Sequence, residues 1–198
     1  MHEPEDRSQG RLPTLTTDRL LLRQWRESDL EPFAAMNADP AVMEHFPITY
    51  DRRESDALVD RFETHFDAHG FGFWAVEAPG VSPFVGFVGL SIPSFEAHFT
   101  PAVEVGWRLA RAHWGHGYAS EAARAATGFG FDELTLDEIV SFAVPANFRS
   151  RRVMVRLGMT HDPADDFDHP GQPEGSAYRR HVLYRLARPA DGHSPPAA

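Results

Sequence analysis

A chain of 198 residues with 42% apolar side chains, 15 Phe and 4 Trp is long enough to bury one sizeable core. It contains no cysteine, which excludes disulfides, thiolate nucleophiles and cysteine-ligated zinc. The net charge of -10 lies entirely in residues 1–106, with 18 acids against 8 Arg, which argues against nucleic acid as a partner and leaves a cationic ligand slightly favoured over an anionic one.

The polar ends, 1–12 and 189–198, read as disordered tails around one domain at 13–188. No basic-then-apolar leader and no run long enough to span a membrane are visible, so a soluble cytoplasmic chain with no membrane partner is expected. TLTTDRLLLRQW (14–25) predicts the first strand. Ser28 or Asp29 then caps a helix with Glu31 in its first turn. A second helix is predicted from Asp51 to Ala68, with Leu58, Phe62 and Phe66 at helical spacing. FGFWAVEA (71–78) and PFVGFVGLSIP (83–93) form a hairpin through PGVS.

VEVGWRL (103–109) alternates: Val103, Val105, Trp107 and Leu109 share one face, and Glu104, Gly106 and Arg108 the other. A helix from Gly117 to Glu133, a strand at 136–144, a helix at 150–158 and a strand at 181–186 complete the order. Residues 162–180 read as a long loop, and such loops often carry function. The mixture predicts an α/β domain with a single mixed, largely antiparallel sheet.

RAHWGHGYASEA (111–122) places Gly115 and Gly117 between a strand and a helix. Glycines there permit left-handed turns, and the amides from Trp114 to Ala119 are free to face an anion at a helix N-terminus. A P-loop needs a lysine beside its glycines, and all 19 basic residues of this chain are arginine. A dinucleotide fingerprint wants a third glycine where Ser120 stands, although Asp137 lies at a suitable distance downstream. A Rossmann-type NAD oxidoreductase therefore stays as a minor alternative, and a ligand-free tight turn as another. The 11 His residues are poorly spaced for a metal: His113 and His116 have no acidic neighbour, and only Asp168, His169 and His181 could meet in space.

Three stretches in order resemble the GNAT superfamily of N-acetyltransferases, close to its RimJ/RimL-like branch. They are TDRLLLRQWRESDLEPFAAMNADPAVMEHFP (17–47), VEVGWRLARAHWGHGYASEAARA (103–125) and VPANFRSRRVMVRLGM (144–159). The resemblance implies a GNAT-like fold with helices on both faces and a splayed central strand pair, 103–109 and 139–144. It also implies acetyl-coenzyme A as co-substrate, no metal, a primary amine acceptor (a peptide N-terminus or a small amine), direct attack and a possible homodimer. A protein that binds acetyl-coenzyme A without turnover is the rival reading.

On that resemblance, backbone groups of Val105, Gly106, Trp107, Arg108 and Leu109 hold the pantetheine arm. The turn Arg111, His113, Trp114, Gly115, His116, Gly117, Tyr118 and Ala119 holds the pyrophosphate. Asn147 and Ser150 lie near the sulfur, and one or two of Arg111, Arg149, Arg151 and Arg152 meet the 3'-phosphate. Ala112 stands where the family often has Gln or Arg, which removes one side-chain contact. Arg156 replaces a familiar lysine and reads as solvent-facing.

Glu104 becomes the base that takes the amine proton, and Ser150 donates to the leaving thiolate. By alternation alone Glu104 reads as an exposed strand glutamate. Asn147 reads as a helix cap on residue type alone. With an ordinary carboxylate, loss of Glu104 should cost most at low pH, where free amine is scarce. Asp165, Asp166, Asp168 and His169, with Phe46 and Tyr50, are expected to line the acceptor pocket.

Overall fold

The computed structural model describes residues 13–190. The predicted tails lie outside these residues, save for 189 and 190. In chain order the elements are β1 (Leu15–Thr16), β2 (Leu21–Arg23), α1 (Leu30–Ala38), α2 (Arg52–His69), β3 (Phe73–Ala78), β4 (Ser82–Ser91), β5 (Glu104–Leu109), α3 (Tyr118–Asp132), β6 (Glu138–Ala143), α4 (Phe148–Arg156), β7 (Thr160–His161), β8 (Phe167–Asp168) and β9 (Arg180–Ala187).

The sheet runs β1-β2-β3-β4-β5-β6-β9-β7, and β8 pairs with β9 off this path. All of its ladders are antiparallel except β5–β6. A doubly wound parallel sheet, which the NAD alternative requires, is therefore not this architecture.

The predicted first strand is broken in two. Thr17 N–H and Oγ1 both bond the Leu20 carbonyl, which turns the chain between β1 and β2. Asp29 does not cap α1 with its side chain. Its carboxylate instead takes both ends of the Arg23 guanidinium, at 2.7 and 2.9 Å, with Glu77 bonded to Arg23 Nε at 2.8 Å. Arg23 and Asp29 are both buried, and a buried charge persists only when paired. In α2, Asp51 and Glu54 form a reciprocal capping box, and Gly70 ends the helix at φ 76°.

Alternation sorts side chains to two faces. Trp74 and Val76 of β3, Val105 and Leu109 of β5 and Ile139 of β6 bury against Ala122, Ala123 and Ala126 of α3 and Met154 of α4. The small alanines let α3 lie close to the sheet. On the opposite face, Ala75 and Phe87 join Trp25, Phe33 of α1 and Phe62 of α2. Trp25 and Phe33 meet edge to face at 4.9 Å. A third aromatic group holds Phe99, Val140, Phe167 and Leu183, with Phe95 and Phe142 against it. The helices thus cover both faces, as the resemblance implied. Among the described residues, no helix is long and apolar enough to cross a membrane.

Candidate active site

The parallel strands β5 and β6 share one registered pair, Glu104 with Val140, and Val140 N–H donates to the Val103 carbonyl at 2.9 Å. Past that point the two strands no longer pair. Backbone groups in the opened stretch are left for a ligand, because buried amides and carbonyls require partners. Both strands run from this junction toward the helix N-termini that follow them, α3 after β5 and α4 after β6.

At α3, Gly115 and Gly117 have φ of 81° and 82°, in the left-handed region that glycine favours. Gly117 is the N-cap and contributes no side chain, so no cap competes for the first amides of α3. The first backbone bond of the helix is Glu121 N–H to the Gly117 carbonyl, at 3.1 Å. The amides of residues 115–120 are thus unused among the described residues, and the helix dipole adds to their attraction for an anion. Trp114 differs from expectation: its N–H donates to the Arg111 carbonyl at 3.2 Å. Its indole bonds the Leu109 carbonyl at 2.8 Å, and the Arg149 guanidinium covers its ring at 4.6 Å.

At α4, Asn147 Oδ1 accepts from Ser150 N–H at 3.1 Å and caps the helix. That bond uses the serine's backbone and leaves its hydroxyl free. Ser150, Arg149, Arg152, Val153 and Arg156 line one side of a cleft of about 370 Å³, with Trp107, Leu109, Trp114, Gly115, Gly117, Tyr118, Ala119 and Ser120 on the other. The segment after α1, including His45 and Phe46, lines its rim.

Glu104 projects from the opposite face of β5. Gly106 beside it leaves room: a Cβ there would stand 3.1 Å from the Phe73 ring and 3.7 Å from Glu104 Oε1. Burial alone pushes the Glu104 pKa from 4.5 up to about 8. Arg108 lies farther along the same face, its guanidinium 4.2 Å from the Phe46 ring centre and bonded to Asn37 Oδ1 at 2.7 Å.

A fork of two parallel strands, with glycine-rich amides at one helix start and a free hydroxyl at the other, can grip a long phosphorylated ligand. Comparison with known proteins decides which family built it. The acetyltransferase (GNAT) domain model matches residues 19–160. The chain belongs to this family. It is 33% identical over 187 residues to the FsC-acetyl coenzyme A-N(2)-transacetylase of Aspergillus fumigatus, covering 89% of this chain and 77% of that one. It is 32% identical over 146 residues to the uncharacterised YkkB of Bacillus subtilis, covering 73% and 84%. An acetyltransferase crystal structure from Agrobacterium tumefaciens matches with 28% identity and a TM-score of 0.70, over 88% of this chain and 94% of that one.

As a GNAT enzyme the chain is an acetyl-coenzyme A-dependent acetyltransferase, and its residues fit that co-substrate. The free amides of 115–120 suit a pyrophosphate, and the arginines of α4 suit phosphate oxygens. The cleft gathers Trp107, Arg108, Leu109, His113, Trp114, Gly115, Gly117, Tyr118, Ala119, Asn147, Ser150 and Arg152 of the residues expected from sequence. Glu104, Val105, Gly106, Arg111 and His116 lie outside its lining. The Val105 side chain is fully buried beneath α3, Arg111 is exposed, and the His116 ring stacks on Tyr118 at 5.5 Å.

The 162–180 loop departs most from expectation. Asp165 binds Arg185 at 2.7 Å, Asp166 binds His161 at 2.7 Å, and Asp168 meets Arg179 and Arg180 at 3.3 and 3.4 Å. None of these carboxylates lines the cleft: Asp165 and Asp168 pair with arginines on or beside β9, and Asp166 is bonded to the His161 ring. His169 packs against Phe95, ring centres 4.4 Å apart. Among the described residues no group of three or more potential ligands converges on a metal position.

Two contributors were not legible in the sequence. Arg156 lines the cleft, where helix charge alone suggested solvent. Arg19 donates to the His116 carbonyl at 3.0 Å and pairs with Glu121 at 2.5 Å, tying the start of the chain to the phosphate turn. Burial pushes the Glu121 carboxyl up, but bonds from Thr17 and Arg19 outweigh it and hold the group below its ordinary pKa. Residues 102 apart leave no local pattern to read.

Proposed function

We propose that this acetyltransferase moves the acetyl group to a primary amine by direct attack within a ternary complex, on a single domain of residues 13–188. Acetyl-coenzyme A supplies the activated acetyl group. The free amides of 115–120 hold its pyrophosphate, and the opened edge of β5 from Val105 to Leu109 holds the arm. Arg152 and Arg156 meet the outer phosphate. Glu104 takes the proton from the attacking amine, and the Ser150 hydroxyl donates a hydrogen bond to the departing sulfur. The absence of cysteine leaves no acyl-cysteine route.

One observation carries this reading: Glu104 stands where β5 and β6 part, and burial there pushes its pKa up to about 8. An α-amine titrates at about 7.7–8.0, so this base and that acceptor are matched for transfer near neutral pH. The N(2) in the name of the Aspergillus relative supports nitrogen as the acceptor atom. The opening stretch 17–47 supports the RimJ/RimL-like branch, and with it a peptide N-terminus as one form of the amine. The test is release of free thiol from acetyl-coenzyme A across a panel of peptides and small amines. A protein that binds the co-substrate yet acetylates no amine would instead be the non-catalytic sensor.

A further inference from the structure

Arg108 is out of keeping with its surroundings. Three aromatic rings surround its guanidinium, Phe46 at 4.2 Å, Phe87 at 5.4 Å and Tyr50 at 5.9 Å. No carboxylate among the described residues pairs with it. Its only hydrogen bond runs from Nη1 to Asn37 Oδ1, at 2.7 Å. Asn37 is completely buried and is itself fixed by donation from Nδ2 to Ser55 Oγ at 3.1 Å. The Nε–H is shut off from water and has no acceptor.

A shielded guanidinium without an anion is costly, and an N–H left unsatisfied adds to that cost. Arg23, also buried, is by contrast matched to both Asp29 and Glu77. Burial pulls the Arg108 pKa down to about 10, so the charge nevertheless persists at neutral pH. Arg108 also lines the cleft. Nη2 has no partner and is not shut off as Nε is, so its N–H groups are the ones left for a carboxylate oxygen. A phosphate dianion would ask for further donors, and the aromatic walls offer only the Tyr50 hydroxyl.

Arg108 also shares the Glu104 face of β5. Four residues of extended strand separate their Cα atoms by about 13 Å. An acceptor lying along this face would meet the base with its amine and the guanidinium with a second group. We propose that Arg108 binds a carboxylate of the acetyl acceptor, so that the substrate class is an amine that also bears an acid group. This rests on the amine-acetylation reading above. The carboxylate can belong to a small amino acid or to an acidic residue near a peptide N-terminus, and the two sources are separated by the acceptors chosen.

The test uses matched acceptors that differ only in carboxylate against carboxamide, as small ω-amino acids of graded length and as short peptides with Glu or Gln at the second position. In the unmodified protein, kcat/KM is expected to favour the carboxylate member of at least one series by tenfold or more, and the series that responds identifies the source. Arg108→Gln, checked for folding by circular dichroism and thermal melting, should reduce that preference at least tenfold, with Arg108→Lys intermediate. Equal rates for acid and amide in both series overturn the proposal with no variant needed. A folded Arg108→Gln that keeps the preference, or that weakens acetyl-coenzyme A binding alone, also overturns it. Absence of thiol release with every amine removes the acetylation reading beneath it, which is a distinguishable failure.

Discussion

Replacing Glu104 by Gln tests the site through two independent readouts. Burial pushes the pKa of this carboxyl from 4.5 up to about 8, because it opposes the charged form. That displacement corresponds to at most about 5 kcal/mol against the ionised form, at about 1.4 kcal/mol per pH unit. Below about pH 4.5 both folded and unfolded chains hold the proton, and the group costs nothing. Between that pH and about 8 only the unfolded chain releases it, so folding stability falls as pH rises. Above 8 the folded chain ionises too and the loss levels off. Glu104→Gln removes this loss, so its stability advantage should be small at pH 5, grow through pH 7 and plateau by pH 9. Urea melts at the three pH values measure it. Activity should move the other way. A base must be ionised to work, so kcat/KM of the unmodified enzyme rises through pH 8, and the variant should lose about 100-fold or more above that pH. This reverses the expectation for an ordinary carboxylate, under which low pH suffers most. An acceptor whose own pKa lies below 7 keeps amine titration out of the profile. A stability difference that is constant with pH, or rate profiles that superimpose, would refute both the burial argument and the base.

Gly117→Val forces a β-branched residue into φ 82°, beside Arg19, and should weaken coenzyme A binding at least tenfold by calorimetry while the fold persists. Ser150→Ala removes the free hydroxyl but keeps the backbone amide that Asn147 caps. It should lower kcat several-fold, most with poorly activated thioesters, and leave helix content and melting temperature unchanged by circular dichroism. Arg19→Ala breaks the pairing with Glu121 and the bond to the His116 carbonyl, and should raise the KM for acetyl-coenzyme A a few-fold. Arg19 is half exposed, so its pair contributes little to stability, about 1 kcal/mol or less, and the melting temperature should barely move.

What could be read in advance was whatever a local period or a backbone requirement writes into the chain. Strand alternation puts Glu104, Gly106 and Arg108 on one face of β5, and the structure divides them from Val105 and Leu109 in that way. Gly115 and Gly117 marked a left-handed turn because other residues resist those angles. Unreadable features depend on partners distant in sequence. Asp29 looks like a helix cap until Arg23 is placed beside it, and an ion pair out of water outweighs a surface cap. The acids at 165 and 168 give no local sign of the arginines that β9 brings beside them. β7 and β8 have two residues each, too short for any period, and exist only because β9 offers an edge. Arg156 required the position of α4 beside the cleft, which helical spacing alone does not supply.

The charge pattern gains a different meaning once the fold is known. Composition favours a cationic ligand, because residues 1–106 carry all of the net charge. Within the cleft the order inverts: Arg108, Arg149, Arg152 and Arg156 line it, and no Asp or Glu stands among its described lining residues. In the proposed reaction a phosphorylated co-substrate accounts for the exposed arginines of α4 that line the cleft. It does not account for Arg108, which shares the Glu104 face of β5 and packs on Phe46, with no carboxylate paired to it among the described residues. Surface charge far from the site acts through a screened field that fades over about 10 Å. A guanidinium shielded by aromatic rings is screened much less. The local cation therefore governs what the acceptor must carry, and the acidic surface governs solubility.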